Sequence, residues 1–366
     1  MKATQRLHDL GQRLWLDNIT RGLLASGTLK RYIDEFSITG LTSNPTIFDH
    51  AIGGSTLYDD AIRRKTTQGT SGEALFLELV VDDLTQAADL FRPVHEASGG
   101  RDGWVSLEVS PLLANETTST VEQARALSER AGRPNVFIKI PGTPAGVPAI
   151  EEAIFAGIPI NVTLLFSREQ YLAAAEAYLR GIERRLAARL DPHVPSVASL
   201  FVSRWDKAVA ARVPRELRDR LGIAVAKRTY RTYRDLLAST RWKRLAGAGA
   251  RTQRLPWAST GTKDPEASDV LYVEALVAAE TINTLPDATL LAFADHGTIR
   301  EPLPADGGDA DTVLARFERA GIDLTEQAQA LQREGTEAFV ASWKEVLGRI
   351  ASKAEALEPA GARGTS

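Results

Sequence analysis

The sequence predicts an α/β protein: a single (β/α)8 barrel, the TIM barrel, with extra helices. Three observations predict it. About eight short apolar runs recur along the chain, alternating with longer amphipathic stretches, the pattern of βα units around a parallel sheet. Eight is the number that a closed barrel of this kind needs. No linker divides the 366 residues, so although length alone suggests two domains, residues 1–357 read as one. The tail 358–366 is small and polar and is expected to be frayed.

In chain order, the candidate strands are 14–19, 40–44, 104–110, 135–140, 159–165, 194–202, 253–259 and 288–294. Between the second and third, residues 45–103 are long enough for several helices. Residues 148–156 predict a short helix ended by Gly157, the residue favoured just past a helix C-terminus. Ser167 to Gln170 is a capping box that opens a long helix through Leu190, with Tyr171, Ala174, Ala175, Tyr178, Ile182 and Leu186 at helical spacing. Asp264 followed by Pro265 predicts an N-cap and a helix starting near Glu266. The segment 297–321 carries Pro302, Pro304, Gly307 and Gly308, and reads as loop plus a short helix over 311–319. Asp323 and Glu326 have capping-box spacing at the start of a long closing helix, 324–350.

Composition narrows the function. Forty-four Lys and Arg against 47 Asp and Glu give a net charge of -3, with no basic field for nucleic acid. The absence of Cys removes disulfides, thiolate zinc sites, iron–sulfur clusters and Cys nucleophiles. No stretch approaches the roughly 18 uncharged apolar residues that span a membrane. The N-terminus lacks the apolar core of a signal peptide, and a cytoplasmic protein is expected. The five His show no metal-ligand spacing, and PGTPAG at 141–146 is neither a Walker loop nor GxGxxG. No metal and no cofactor are expected.

The most informative residue is Lys139, in NVFIKIP at 135–141. Strand alternation puts Asn135, Phe137 and Lys139 on one face, and Val136, Ile138 and Ile140 on the other. The second set suits the helix-facing side, so Lys139 points into the barrel near its C-terminal mouth. Burial there disfavours the ammonium form, and a neutral amine is what a Schiff-base nucleophile requires. Taken alone, the feature fits better a strand-end lysine that snorkels to solvent. Neighbouring strands add to it. The same parity puts Asp17 beside Trp15, Glu108 on the third strand, and Asn161 and Thr163 on the fifth, all inside. Thr42 and Asn44 end the second strand in the same way, although Asn44 before Pro45 also suits a helix cap. One amine, two carboxylates, amides and hydroxyls therefore converge where barrel active sites lie. Carboxylates near an iminium relay the protons that Schiff-base chemistry moves.

An anion site is expected beside them. WASTGTKDP at 257–265 leaves the seventh strand, where barrels often bind phosphate, and offers Ser259 and Lys263. Arg204, just past the sixth strand, is a second cation. Any one of these cations taken singly also reads as a solvated surface charge.

Together these segments resemble transaldolase, in particular the longer bacterial subgroup of that family, over roughly residues 10–300. The resemblance rests on GLTSNPTI at 40–47, the Lys139 segment, INVTLLFS at 160–167, SLEV at 106–109, WAST at 257–260, and YVE with TINTLP at 272–286. It implies one cofactor-free, metal-free barrel, monomeric or homodimeric, acting on sugar phosphates. By resemblance, Lys139 forms the Schiff base with sedoheptulose 7-phosphate or fructose 6-phosphate, and Asp17 is the acid/base for carbon–carbon cleavage. Glu108 and Thr163 hold a proton-shuttling water. Asn44 and Asn161 bind the dihydroxyacetone unit, which passes to glyceraldehyde 3-phosphate or erythrose 4-phosphate. Arg204 and Ser259 match phosphate-binding positions, and Ser199 matches a pocket serine. One departure stands out: many members have an Arg soon after the serine of the seventh strand, whereas this chain has TGT and then Lys263, which lacks the guanidinium fork. Two alternatives remain: a Schiff-base aldolase that releases free dihydroxyacetone, and a non-catalytic sugar-phosphate-binding barrel.

Overall fold

A computed structural model describes residues 2–299 and 301–357, so the 358–366 tail lies outside the described residues. Eight parallel strands close into a barrel in sequence order, with β8 pairing back to β1. They are β1 (Arg13–Asp17), β2 (Ile38–Thr42), β3 (Trp104–Glu108), β4 (Val136–Pro141), β5 (Ile160–Leu165), β6 (Ser196–Phe201), β7 (Gln253–Ala258) and β8 (Thr281–Leu285). The expected runs from 14–19 through 253–259 are strands, with ends displaced by a few residues at most.

The run at 288–294 is not a strand. It lies in the helix Asp287–His296, and Thr281–Leu285 closes the barrel instead. The reason is visible in the side chains. The helix buries Leu290 and Phe293, three apart on one face. The true β8 turns Thr281 and Asn283 outward, where parallel strands normally carry aliphatics. Both accept hydrogen bonds there: Gln12 Nε2 donates to Thr281 Oγ1 at 2.8 Å, and Thr260 Oγ1 donates to Asn283 Oδ1 at 2.8 Å. The helix expected near Glu266 is also absent. Asp264 Oδ1 does accept from the Glu266 N–H at 2.8 Å, but only a turn follows, and a helix begins at Leu271. Glu266, Ser268 and Asp269 are exposed, so no apolar face exists to dock a helix there.

The barrel separates two apolar sets. Val136, Ile138 and Ile140 of β4 join the large core between strands and helices. Trp15, Trp104, Phe137, Val197 and Ile282 form a separate plug inside the barrel. Phe137 stacks on Trp104 with ring centroids 4.1 Å apart. Gly40 makes room for this plug, since a Cβ there would lie 2.6 Å from Trp15 Nε1 and from the Trp104 carbonyl. Two residues further along the same faces come Asp17, Lys139 and Ser199, so an apolar floor lies beneath a polar mouth.

The long connections have a use. Residues 45–103 form the helices Pro45–Gly53, Asp59–Thr67 and Gly72–Ala97, which seat the closing helix Leu324–Leu357. Buried Asp49 pairs with Arg349 at 2.5 Å, Lys353 pairs with Asp59 at 2.7 Å, and Trp343 packs edge-on against Phe76. Asp323 caps the closing helix through the N–H groups of Thr325 and Glu326. The helix Ala310–Arg319 precedes it, held to Leu221–Ala238 by the Lys227–Asp309 and Arg231–Asp311 pairs. Among the described residues, no helix is long and apolar enough to cross a membrane.

Candidate active site

A cavity of about 1050 Å³ opens at the C-terminal mouth of the barrel. Asp17, Thr42, Asn44, Lys139, Thr163, Ser199, Arg204, Ser259 and Lys263 all line it. Glu108 and Asn161 stand behind that wall.

Lys139 is the centre. Its side chain is 6% exposed, and Nζ donates to the Ser43 carbonyl at 2.9 Å and to Glu108 Oε2 at 3.2 Å. The register of β3 with β4 sets Glu108 directly beside Lys139, and that of β4 with β5 sets Asn161 on its other side. Burial pushes the Glu108 carboxyl above the usual carboxylate range, against the opposing pull of Lys139. Asp17 is raised for the same reason, with Lys139 and a hydrogen bond from Thr42 opposing the rise. That bond runs from Thr42 Oγ1 to Asp17 Oδ1 at 2.9 Å, so Thr42 orients the carboxylate. Two carboxyls with raised proton affinity thus flank one amine, the arrangement proton relays require.

The hydroxyls and amides divide between cavity and frame. Thr163 Oγ1 is buried without a hydrogen-bond partner among the described residues, and Thr163 lines the cavity. Asn161 is fully buried. Its Nδ2 donates to Ser106 Oγ at 3.0 Å and its Oδ1 accepts from Ser199 Oγ at 2.8 Å, so Ser199 stands between Asn161 and the cavity. Asn44 does cap the next helix, its Oδ1 accepting from the Ile47 N–H at 3.2 Å, and Nδ2 is the group it offers to the cavity.

Cations also line the cavity. Arg204 is the second residue of the helix Ser203–Val209, and Lys207 follows on the same face three residues later. Lys263 joins them from the loop after β7; burial, Arg204 and Lys207 together draw it below the ordinary lysine range. Ser259 holds a left-handed backbone (φ 55), and its hydroxyl lies 3.1 Å from Ser203 Oγ. Lys207 was not singled out from sequence; its spacing from Arg204 is the signal that finds it. Phe339 of the closing helix was not either. Its ring centroid lies 5.7 Å from Lys139 Nζ and 5.9 Å from the Arg204 guanidinium carbon. Among the described residues, no group of three or more His, Asp or Glu is arranged to hold a metal ion.

Fold and site define an α/β-barrel enzyme whose buried lysine, flanked by two carboxyls, opens on a cation-lined cavity. The model for the family "Transaldolase/Fructose-6-phosphate aldolase" matches residues 14–350, and the chain belongs to that family. It is 44% identical over 357 residues to transaldolase 1 of Streptomyces coelicolor, covering 95% of this chain and 94% of that one. It is 45% identical over 358 residues to the transaldolase of Thermobifida fusca, covering 95% and 97%. The transaldolase of Thiobacillus denitrificans is 43% identical over 358 residues, covering 96% and 100%.

Proposed function

We propose that the protein is a cytoplasmic transaldolase of the pentose phosphate pathway. It moves a dihydroxyacetone unit from sedoheptulose 7-phosphate to glyceraldehyde 3-phosphate, giving erythrose 4-phosphate and fructose 6-phosphate. The observation that carries this reading is Lys139, buried in the mouth between Glu108 and the cavity that Asp17 lines.

In this reading the Lys139 amine attacks the ketose carbonyl carbon to form a carbinolamine. Glu108 and Thr163 hold the water that carries protons as hydroxide leaves and the iminium forms; the unpartnered Thr163 hydroxyl suits that task. Asp17 takes the proton from the C4 hydroxyl, the C3–C4 bond breaks, and the electron pair flows into the iminium as an enamine. The aldose leaves and the three-carbon unit stays on Lys139. An incoming aldehyde takes the electron pair, and its oxygen recovers the proton from Asp17. Water then releases the new ketose. Asn44 binds the dihydroxyacetone hydroxyls through Nδ2, and Asn161 contributes by fixing Ser199. Arg204, Ser259 and Lys263 hold the phosphate, and the cation-rich wall supports that assignment.

Borohydride added with fructose 6-phosphate tests the mechanism. The expected product is a three-carbon adduct on Lys139 with loss of activity; an unmodified, active protein refutes it. Fructose 6-phosphate supplied without an acceptor separates transfer from the aldolase alternative. A transferase retains its three-carbon unit, whereas steady release of dihydroxyacetone identifies an aldolase.

A further inference from the structure

The strand ends beside the lysine are irregular. After Thr163, the backbone of Leu164 turns left-handed (φ 57), where a Leu Cβ crowds the following carbonyl. The ladder slips at the same place: Val162 pairs with Ala198, but Leu165 pairs with Leu200. β5 therefore carries one residue more than β6, a bulge directly after the cavity-lining Thr163. The neighbouring end of β4 is drawn in tightly. The Gly142 N–H donates to the Thr163 carbonyl at 2.8 Å, and a Cβ on Gly142 would lie 2.3 Å from Leu165 Cδ2.

One side chain bridges this seam. Gln332 Nε2, on the closing helix, donates to the Gly142 carbonyl and to the Leu164 carbonyl, both at 2.9 Å. One turn on, Gly335 lets the Leu164 side chain approach: a Cβ there would lie 3.0 Å from Leu164 Cδ2.

We propose that Gln332 is a positioning residue for the reaction. By tying the ends of β4 and β5 together, it holds the Thr163 hydroxyl in register with Lys139 Nζ. The inference rests on the Schiff-base reading above. Backbone held in a sparsely populated conformation persists where its surroundings over-determine it. Here the surroundings come from a helix 168 residues downstream. Without the amide, the bulge relaxes and Thr163 shifts relative to the amine, which slows dehydration of the carbinolamine. Gln332 donates to the ends of β4 and β5, whereas the phosphate wall stands on the segments after β6 and β7 and meets the closing helix further along, at Gly335 and Phe339, so binding is expected to persist.

The test uses Gln332→Met, which keeps length and removes both donors, and Gln332→Glu, which keeps shape and replaces donor with acceptor. The measurements are kcat, KM for fructose 6-phosphate, the rate of borohydride trapping at Lys139, and Tm. A displacement of this kind is expected to lower kcat and the trapping rate together by about 10- to 100-fold. KM should stay within about twofold in both variants if uniform substrate binding is unaffected. Unchanged kcat and trapping rate in either variant, with or without a fall in Tm, overturns the proposal, as does a loss expressed in KM alone. An active parent enzyme that is never trapped refutes the Schiff-base reading and this inference with it. A trapped parent with unaffected variants refutes this inference alone.

Discussion

Raising the pH from 5 to 8 is predicted to weaken the fold through one buried carboxyl, Asp206. It lies in the helix Ser203–Val209 and is 4% exposed. It accepts hydrogen bonds from the Leu221 N–H at 2.8 Å, the Gly222 N–H at 3.1 Å and the Tyr272 hydroxyl at 2.9 Å. Burial nevertheless dominates and pushes its pKa up to about 7. In the unfolded chain the same group titrates near 3.8. Between these values the folded state holds a proton that the unfolded state has lost, so stability falls as pH rises. The contribution is fully present below the unfolded value and is lost as pH climbs through the folded one. From pH 5 to about 7 each unit is worth about 1.4 kcal/mol, so the rise to pH 8 removes about 2.7 kcal/mol. Urea unfolding of the parent and of Asp206→Asn, at pH 5 and pH 8, isolates this effect. Asp17 and Glu108, whose pKa values are also raised, act in the same direction but cancel in the comparison. The variant carries a constant cost of about 1 kcal/mol for its altered hydrogen bonds. Its pH-dependent loss should be smaller than the parent's by about 2–3 kcal/mol. Equal losses in parent and variant refute the linkage. Asp206 matters beyond stability, because its helix presents Arg204 and Lys207 to the cavity.

Two further outcomes follow from the site. Lys263→Ala is expected to raise KM for phosphorylated substrates by about tenfold, the scale of one charged hydrogen bond, with a smaller change in kcat; an unchanged KM removes Lys263 from the phosphate wall. Phe137→Ala opens a hole in the barrel floor two residues below Lys139 and should cost about 3–5 kcal/mol in denaturant unfolding; a cost under about 1 kcal/mol would show that the plug carries no weight.

Much of the barrel was legible because a parallel strand packed between helices and a barrel interior has a strong local signature. In β4, Val136, Ile138 and Ile140 face out, and Phe137 and Lys139 face in, as alternation alone requires. The same parity placed Asp17, Glu108, Asn161 and Thr163 inside. It failed at β8, where Thr281 and Asn283 occupy outward positions and take hydrogen bonds from distant loops. Without those partners in view, the apolar stretch in Asp287–His296 read as the stronger strand. Parity also left open which inward residue meets the cavity and which one supports it. Asn161 proves to be fully buried behind Ser199, and Thr42 bonds to Asp17.

The barrel, the lysine buried in its mouth, and the two carboxyls and several polar groups around it were thus set by the sequence alone. Those follow from periodicity and burial, which are local along each strand. Only the tertiary structure decided that the closing helix seats on the Pro45–Gly53 helix, and that it brings Phe339 near Lys139 and Gln332 to the ends of β4 and β5. An amphipathic helix announces that it has an apolar face, but the surface that receives that face is set by contacts across hundreds of residues. No spacing within the helix records them.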